Sequence, residues 1–317
     1  MKLVTWTTGE REPRLGVLVD DEVVDLTASG EPVLSSMLDL MRAGGLGLEA
    51  AASAAESGPR TALAGVRLLS PVPVPESIRD FLSFEQHVIQ ALDMRRRVDA
   101  AAAPDPEVEA ERLRDHPRFQ IPDVFYKQPL YYKGNRFACI GDGDDVVCPS
   151  YSRLLDYELE MAAWIGRKGR DISREDARDY IFGYSIFNDM TARDAQGVEM
   201  PGQLGPAKSK DFDTANVLGP CIVTADALDD SNLTMIARIN GQEVSRNTSG
   251  ERLWTFEDAI EHVSKSETIH PGEMFGSGTV GGGCGLERWE FLSPGDVIEL
   301  EIEGIGVLRN RLVPSAT

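Results

Sequence analysis

Hydrophobic and polar residues alternate with a period of two in many short runs of this chain, the spacing of β-strands with one buried face. Such a run, GVLVDDEVVDLT, lies in the first 30 residues, and others follow Phe125, separated by Gly, Pro and Asp. One of them, LTMIARINGQEVSR, contains an Asn240-Gly241 pair typical of a two-residue hairpin turn. Because strands outnumber helices and do not alternate with them, the pattern predicts an α+β, mostly β fold with mixed, largely antiparallel sheets.

Helical periodicity is restricted to a few segments. It predicts helices at residues 35–42, 83–97, 173–181 and 255–266. The last two segments begin with Ser173 and Thr255, side chains that commonly cap the first turn of a helix.

Two stretches divide the chain. In SPVPVPES, residues 70–77, alternating prolines can continue neither a helix nor a central strand. We therefore expect a small N-terminal α+β domain, residues 1–70, and a larger domain, residues 71–317. Within the larger domain, residues 83–120 begin with a helical pattern and continue as a segment rich in Ala and charge. This composition predicts either a solvated helical excursion or a mobile lid.

The segment LDYELEMAAWIG, residues 155–166, places Asp156, Glu158 and Glu160 at every second position. The apolar run after Glu160 has no polar alternation, which predicts a strand buried on both faces. Buried carboxylates without partners cost several kcal/mol each. A divalent cation would remove that cost, and oxygen ligands favour Mg²⁺, with Mn²⁺ or Ca²⁺ as alternatives.

Other acids that could complete such a site follow apolar or proline-rich segments. Asp189 ends the apolar run of SIFNDMTARDAQ and is followed by Arg193 and Gln196, while RDFLSFEQH supplies Asp80 and His87. Each signal also has a simpler interpretation. Asp189 could cap a helical turn that starts at Met190, and His87 could be an ordinary surface histidine.

Composition narrows the range of functions. The 317 residues are 42% hydrophobic, enough for a sizeable core, and the net charge of −20 argues against binding to nucleic acid or to anionic membranes. The N-terminal residues lack the apolar region of a signal peptide and no apolar run is long enough to span a bilayer, so we expect a cytoplasmic protein.

The four cysteines are scattered at positions 139, 148, 221 and 284, without CxxC spacing or a neighbouring histidine cluster. This spacing disfavours both a disulfide framework and a structural zinc site. We interpret each cysteine as a small buried hydrophobic residue.

Taken together, the motifs resemble the fumarylacetoacetate hydrolase (FAH) superfamily. From about Pro73 onward the chain contains, in the family's order, Asp80-Phe81 with a histidine seven residues after the aspartate, then DYELE, FNDMTARDAQ, KSKDFDTANVLGP, GSGTVGGGCGLE and PGDVIELEIEGIGVLRN. The resemblance implies an FAH-type mixed β-sandwich roll for the larger domain. It also implies a metal-dependent enzyme that acts on a small anionic substrate, usually as a homodimer.

The resemblance further implies roles for individual residues. The implied metal ligands are Glu158, Glu160, Asp189 and Asp80; the implied general base is His87; and the implied substrate-binding residues are Arg193, Gln196, Thr279 and a lysine of KSKDF. That lysine is Lys210 if Phe212 sets the alignment and Lys208 if the preceding Ala-Lys-Ser does. Asp156 matches no family ligand and is interpreted as an acceptor behind the metal site.

Departures from the family pattern also matter. Leu82 replaces a substrate-contacting tyrosine, which puts fumarylacetoacetate itself in doubt as the substrate. Gln90 replaces a glutamate three residues after the histidine in the short decarboxylating members. A carboxylate partner for His87 must then come from elsewhere, with Glu287 the better candidate and Glu85 the weaker.

These residues predict a divalent-metal-dependent hydrolase that cleaves a carbon–carbon bond in an acylpyruvate-like or β-diketo acid. The nearest alternative is a decarboxylase or isomerase of 2-oxo or hydroxydienoate acids, which would use the same metal-stabilised enolate without attack by water. A more remote alternative is a catalytically silent metal-binding or ligand-binding module on the same scaffold.

Overall fold

The computed structural model describes residues 1–9 and 11–315. The strands among these residues are β1 (Lys2–Thr7), β2 (Arg14–Val19), β3 (Glu22–Asp25), β4 (Arg60–Ala62), β5 (Arg67–Leu68), β6 (Ile78–Phe81), β7 (Tyr131–Lys133), β8 (Cys139–Ile140), β9 (Asp145–Val147), β10 (Leu155–Asp156), β11 (Leu159–Ile165), β12 (Gly169–Arg170), β13 (Ile181–Asp189), β14 (Thr191–Ala192), β15 (Asn216–Thr224), β16 (Thr234–Ile239), β17 (Gln242–Thr248), β18 (Thr268–Ile269), β19 (Met274–Gly276), β20 (Val297–Ile302) and β21 (Gly306–Val313). The α-helices are α1 (Met37–Ala43), α2 (Gly45–Ser57), α3 (Glu85–Ala100), α4 (Pro106–Arg112), α5 (Arg193–Glu199) and α6 (Phe256–Ser264). The predicted α+β, mostly β fold is confirmed.

The architecture is a large mixed sheet packed on a smaller one. The large sheet has 12 strands with the main order β4-β3-β2-β1-β15-β13-β11-β19-β6-β7, and the smaller sheet has the order β17-β16-β20-β21-β9. Most pairs are antiparallel, but β19 lies parallel to β6. Apolar side chains of β13 and β15 share one core with those of β20 and β21, so this core fills the space between the two sheets.

The strand β11 lies in the middle of the large sheet, paired with β13 on one side and β19 on the other. Met161 and Ala163 point into the core between the sheets, whereas Ala162 and Trp164 join a second core on the opposite face. All seven residues of β11 are buried, which confirms the prediction of a strand buried on both faces. Of the three alternating acids, Glu160 lies on this central strand, whereas Asp156 lies in β10 and Glu158 between the two strands.

The first 70 residues extend the large sheet. Strand β1 pairs antiparallel with β15, Leu3 opposite Ile222, and α1 and α2 cover the face of the sheet that carries Trp164. The sheet is thus continuous across the predicted boundary near residue 70, and the division into two domains stays a prediction.

Several local predictions can be checked directly. Helix α6 has a capping box between Thr255 and Asp258, and Asn240 and Gly241 both have positive φ, as a two-residue hairpin turn requires. The helix predicted at residues 173–181 is wrong: a turn leads into a single 3₁₀ turn, Ala177–Tyr180. The reason is that the carbonyl of Tyr180 accepts from Gly166 N (2.8 Å) and the chain enters β13 at once.

The excursion at residues 83–120 forms α3 and α4, and α3 runs along one wall of the main cavity. Among the described residues, no helix has the length and apolar character needed to cross a membrane.

Candidate active site

A cavity of about 610 Å³ opens where the ends of β6, β11 and β13 meet α3 and the glycine-rich loop after β19. Eight of the ten residues singled out in the sequence line it, and the other two, Asp189 and Glu287, are hydrogen-bonded to lining residues. Its lining includes Asp80, His87, Glu158, Glu160, Arg193, Gln196, Lys210 and Thr279. The strands hold the acids, the helix α3 holds the histidine, and apolar residues such as Val88, Leu92 and Leu130 complete the wall.

Three of the acids converge at the base of this cavity. Asp80 in β6, Glu160 in β11 and Asp189 at the end of β13 each offer an oxygen, and these oxygens lie within 4.8 Å of one another. Asp80 and Asp189 each have one buried oxygen without a hydrogen-bond partner among the described residues. Since buried polar atoms are normally paired, two such oxygens in one cluster of acids indicate a place for a ligand.

The electrostatics of the cluster agree with this geometry. Burial raises the pKa of Asp80 and raises the pKa of Glu160 well above its ordinary value, in the latter case with help from the charge of Asp80. Burial also raises the pKa of Asp189, although the charge of Lys210 opposes the change. The protein by itself therefore makes three adjacent carboxylates costly to ionise.

Two glycines allow the acids to approach so closely. A Cβ at Gly276 would lie 2.4 Å from Asp80 Oδ1 and 3.1 Å from Glu160 Oε2, so any side chain there would collide with the cluster. Gly278 has a φ of +80° and its N–H donates to Glu160 Oε2 at 2.9 Å. These glycines belong to the motif GSGTVG, but the sequence alone gave no sign that they shape the acidic cluster.

Glu158 lies beside the cluster but is engaged by two cations. Its carboxylate accepts from Arg193 Nη2 at 2.6 Å and from Lys210 Nζ at 2.6 Å. Burial alone would raise the pKa of Glu158, yet the charges of Arg193 and Lys210 outweigh it and lower that pKa. Lys210 also donates to Asp189 and to Thr191 Oγ1.

The position of Lys210 bears on the choice between two lysines. Lys210 is buried in the site, whereas Lys208 is exposed and its ammonium lies 5.2 Å from the ring centre of Tyr151. Lys210 and Arg193 both bind acids of the protein itself, and their predicted role in substrate binding stays a prediction.

Asp156 stands behind the site, as interpreted from the sequence. It is fully buried, accepts from Arg193 Nε at 2.8 Å and takes backbone N–H donors from Gly285 (2.7 Å) and Leu286 (2.9 Å). The break between β10 and β11 separates it from Glu158 and Glu160, so the three alternating acids do not act as one row. Asp156 therefore fixes Arg193 and, through Arg193, the orientation of Glu158.

His87 lines the same cavity as the acids and lies in the first turn of α3. Its Nδ1 is 2.5 Å from Glu287 Oε1 and 3.9 Å from Cys284 Sγ. No hydrogen bond joins Nε2 to any residue that the structure describes. Glu85, the weaker candidate partner, instead bonds the Tyr126 hydroxyl. Gln90, one helical turn after His87, accepts from Gly282 N at 3.0 Å and ties α3 to the glycine-rich loop.

Two residues of the cavity were not identified from the sequence. The Tyr132 hydroxyl donates to Asp189 Oδ2 at 2.8 Å, which orients that acid. Arg95 lines the cavity two turns after His87 on α3, and in the described chain its guanidinium has neither a hydrogen bond nor an ion pair. Its neighbours Arg96 and Arg97 both pair with Asp93. Only the i, i+4, i+8 spacing of His87, Ala91 and Arg95 could have signalled that Arg95 shares the histidine's face.

The donor set of the acidic cluster fits a hard divalent cation. All its atoms are carboxylate oxygens, and Asp80 and Asp189 each have one buried oxygen without a partner among the described residues. A cation would offset the burial and the mutual repulsion that raise the three pKa values. The sulfur and nitrogen atoms of Cys284 and His87 lie in a separate group with Glu287.

Comparison with known proteins establishes the family. Residues 78–313 match the family model described as the C-terminal domain of fumarylacetoacetate (FAA) hydrolase. The chain therefore belongs to the fumarylacetoacetate hydrolase superfamily, a class of enzymes, as the motifs predicted.

The relatives differ in their reactions. The chain is 29% identical to the mitochondrial oxaloacetate tautomerase fahd2 of Xenopus laevis over 322 aligned residues, which cover 99% of this chain and 90% of that protein. A fumarylacetoacetate hydrolase structure from Exiguobacterium antarcticum is 25% identical with a TM-score of 0.75 and covers 99% of this chain and 100% of the other.

The solved structure of a third relative contains a metal ion. The maleylpyruvate hydrolase of Sphingobium sp. SYK-6, solved with manganese(II) and pyruvate, is 26% identical with a TM-score of 0.73 and covers both chains completely. Other structures of the same fold are isomerases. Family membership thus establishes the scaffold and suggests a divalent metal, but it leaves hydrolysis, isomerisation and tautomerisation open.

Proposed function

We propose that the protein is a divalent-metal-dependent hydrolase that cleaves the carbon–carbon bond of an acylpyruvate-like or β-diketo acid. One observation supports this more than any other: His87 lines the same cavity as Asp80 and Glu160 and pairs through Nδ1 with a buried carboxylate, Glu287 Oε1, at 2.5 Å. An imidazole held in this way has its second nitrogen available to take a proton from water.

The acids Asp80, Glu160 and Asp189 would hold the divalent ion, Mg²⁺ or alternatively Mn²⁺ or Ca²⁺. Glu158, the fourth predicted ligand, would have to exchange its bond with Lys210 to join them. When bound, such an ion polarises adjacent oxygens of a substrate and stabilises negative charge that develops on them. Tyr132 and Thr279 donate to Asp189 and Glu160 and thereby keep these acids oriented.

His87 would carry the proton transfers. Its Nε2 takes a proton from a water molecule, and the resulting hydroxide oxygen bonds to the acyl carbonyl carbon. The carbon–carbon bond then breaks, its electron pair stays on the pyruvate fragment as an enolate, and the proton held by His87 can return to that carbon. Glu287 keeps the proton on Nδ1 and stabilises the imidazolium between these steps.

Substrate binding would use side chains with spare hydrogen-bonding capacity. Gln196 and Thr279 line the cavity, and Arg95 is a cation without an acidic partner among the described residues. Because Arg193 and Lys210 are committed to Asp156, Glu158 and Asp189, Arg95 is the best placed cation for a carboxylate on the acyl part of the substrate.

A second candidate function is the tautomerisation or isomerisation of a 2-oxo acid. It is favoured by the similarity to an oxaloacetate tautomerase over 99% of this chain. The same acids and the same histidine would serve this reaction, with His87 removing a proton from carbon instead of from water. The two candidates differ only in whether water attacks.

The test is to follow acylpyruvates and oxaloacetate with the Mg²⁺- or Mn²⁺-loaded protein by NMR. Hydrolysis gives two acid fragments, decarboxylation releases carbon dioxide, and tautomerisation conserves mass. His87→Ala should lower turnover by about 10²- to 10⁴-fold, the usual contribution of a general base. His116→Ala, which changes an exposed histidine of the same excursion, is the matched control. Undiminished turnover in His87→Ala would refute the role of the base, and no turnover of any substrate by the wild type would favour the silent module.

A further inference from the structure

We propose that His87, Cys284 and Glu287 form a second metal site, distinct from the acidic cluster, that takes a zinc-type transition-metal ion and switches off the base. The sequence offers no hint of it, because His87 and Cys284 are 197 residues apart. The fold brings them together when the glycine-rich loop after β19 closes over the first turns of α3.

The geometry of the three side chains suits such an ion. One potential ligand atom from each residue lies within 4.8 Å of the other two, and Cys284 Sγ is 3.9 Å from His87 Nδ1. Zinc bonds of about 2.0–2.3 Å in a tetrahedral arrangement place ligand atoms about 3.5 Å apart. The sulfur must therefore move inward slightly and Glu287 outward slightly, which are small adjustments for side chains.

A second observation points to a ligand at the same place. Glu287 Oε2 is buried and has no hydrogen-bond partner among the described residues, although Oε1 is bonded to His87. The side chain of Glu287 is only 2% exposed. The hydrogen bond to His87 thus leaves the other carboxylate oxygen of Glu287 able to bind a ligand, in a residue grouped with Cys284 and His87.

The ligand chemistry separates this site from the acidic cluster. Nitrogen and thiolate ligands favour zinc and its neighbours in the transition series, whereas magnesium prefers oxygen only. Three protein ligands also leave a fourth position for water. An ion could reach the site through the loop, because Gly282 is partly exposed and a Cβ there would lie only 3.9 Å from Glu287 Oε2.

Occupation of the site would change the tautomer of His87. The ion bonds to Nδ1, so the ring proton must reside on Nε2, and Cys284 releases its thiol proton to solvent as it becomes a ligand. His87 then faces the cavity with an N–H instead of a lone pair. In this state it cannot accept a proton from water, so zinc inhibits while the acidic cluster keeps its own ion.

The binding test uses Co²⁺ as a spectroscopic substitute and Zn²⁺ as the competitor, with the full-length protein preloaded with Mg²⁺. We expect a thiolate-to-cobalt charge-transfer band that Zn²⁺ abolishes. Cys284→Ser should eliminate the band and weaken zinc binding at least about tenfold, the loss that even an outer-shell change can cause. Cys148→Ser, which alters a half-buried cysteine away from the cavity, should keep the band. Thermal unfolding of each variant checks that it is folded.

Several outcomes would overturn the proposal. Cobalt binding without a thiolate band would contradict it, as would a band that persists in Cys284→Ser or disappears in Cys148→Ser. These readouts need no substrate, so they are independent of the proposed hydrolase activity. Where turnover is measurable, inhibition by Zn²⁺, expressed relative to the zinc-free rate of each variant, should weaken at least about tenfold in Cys284→Ser.

Discussion

The buried acid Asp230 and the acidic cluster of the cavity differ in how the protein surrounds them. Asp230 is 3% exposed, and its oxygens accept from Arg252 Nη2 at 2.8 Å, from Arg178 Nη1 at 3.0 Å and from the Tyr184 hydroxyl at 3.0 Å. In the acidic cluster, by contrast, Asp80 and Asp189 each keep a buried oxygen without a described partner.

The pKa directions express the same difference. Burial alone would raise the pKa of Asp230, but the charge of Arg252 and the hydrogen bonds from Arg252, Arg178 and Tyr184 outweigh it and lower that pKa. In the cluster, burial prevails and the pKa of Glu160 is raised. Asp230, which holds the fold together, therefore has hydrogen-bond donors for both of its oxygens. The acids proposed to bind the metal lack partners for some of their oxygens among the described residues, at a cost in stability.

The strongest test of this contrast is Glu160→Gln. Gln keeps an oxygen that can accept from Gly278 N but removes one of three adjacent charges. We expect turnover to fall about a thousandfold or more, because a Lewis acid contributes several kcal/mol to the barrier and each 1.4 kcal/mol is tenfold in rate. The metal-free variant should nevertheless unfold at a higher temperature than the metal-free wild type. Calorimetric metal titration, enzyme assay and thermal unfolding measure the three effects, and a less stable apoprotein would contradict the comparison.

The opposite pattern is expected for Asp230→Ala. This change leaves Arg252, itself 5% exposed in its side chain, without its carboxylate, and breaking one partner from a buried ion pair costs about 3 kcal/mol or more. Denaturant unfolding should show this loss. The turnover number of the folded fraction should match that of the wild type, since Asp230 does not line the cavity. A large loss of turnover without loss of stability would break the comparison.

The two groups should also give opposite dependences on pH. The raised pKa values of Asp80, Glu160 and Asp189 mean that the folded apoprotein binds protons more tightly than the unfolded chain. Its stability should then fall as pH rises above their ordinary values of 3.8–4.5, by at most about 1.4 kcal/mol per pH unit for each proton. The lowered pKa of Asp230 has the reverse sign: its contribution is present above 3.8 and is lost as pH falls through the folded value.

Denaturant unfolding of the metal-free protein across this pH range separates the two groups. Glu160→Gln should flatten the decline at higher pH, and Asp230→Ala should remove the loss in acid. Mg²⁺ or Mn²⁺ should release protons on binding, because the ion replaces protons on the raised acids. Titration calorimetry in buffers of different ionisation enthalpy detects that release, and its absence would argue against binding at the acidic cluster.

The sequence predicted those parts of the molecule that depend on local patterns. The apolar run of β11, the capping box at Thr255 and the turn at Asn240-Gly241 all follow from residues close together in the chain. The acids were recognisable because a charged residue at a position of predicted burial needs an explanation. The failed helix at residues 173–181 shows the limit of such reasoning, since a hydrogen bond from Gly166 decides its end.

The remaining features depend on pairings over long chain separations. The pairing of β1 with β15 joins residues more than 200 positions apart. Glu287, 200 residues from His87, was named as its candidate partner only through the family resemblance. Tyr132 was not found because a tyrosine among β-like residues resembles an ordinary strand residue. The role of Gly276 was not predicted, because a side chain at this position would collide with Asp80 only once β6 lies beside β19.

The smallest expected effect concerns two arginines of α3, of which one has an acidic partner and the other has none among the described residues. Arg95 lines the cavity without an acidic partner among the described residues, whereas Arg97, two positions further on the same helix, is exposed and pairs with Asp93. For an acylpyruvate with a terminal carboxylate, Arg95→Ala should lower kcat/KM about tenfold or somewhat more, since a hydrogen bond to a charged group contributes about 1.5–3 kcal/mol. For the analogue with a neutral acyl chain it should change little. Arg97→Ala should leave both substrates within about twofold, as expected for an exposed ion pair. Equal losses on both substrates would show that Arg95 supports the helix and does not bind the distal carboxylate.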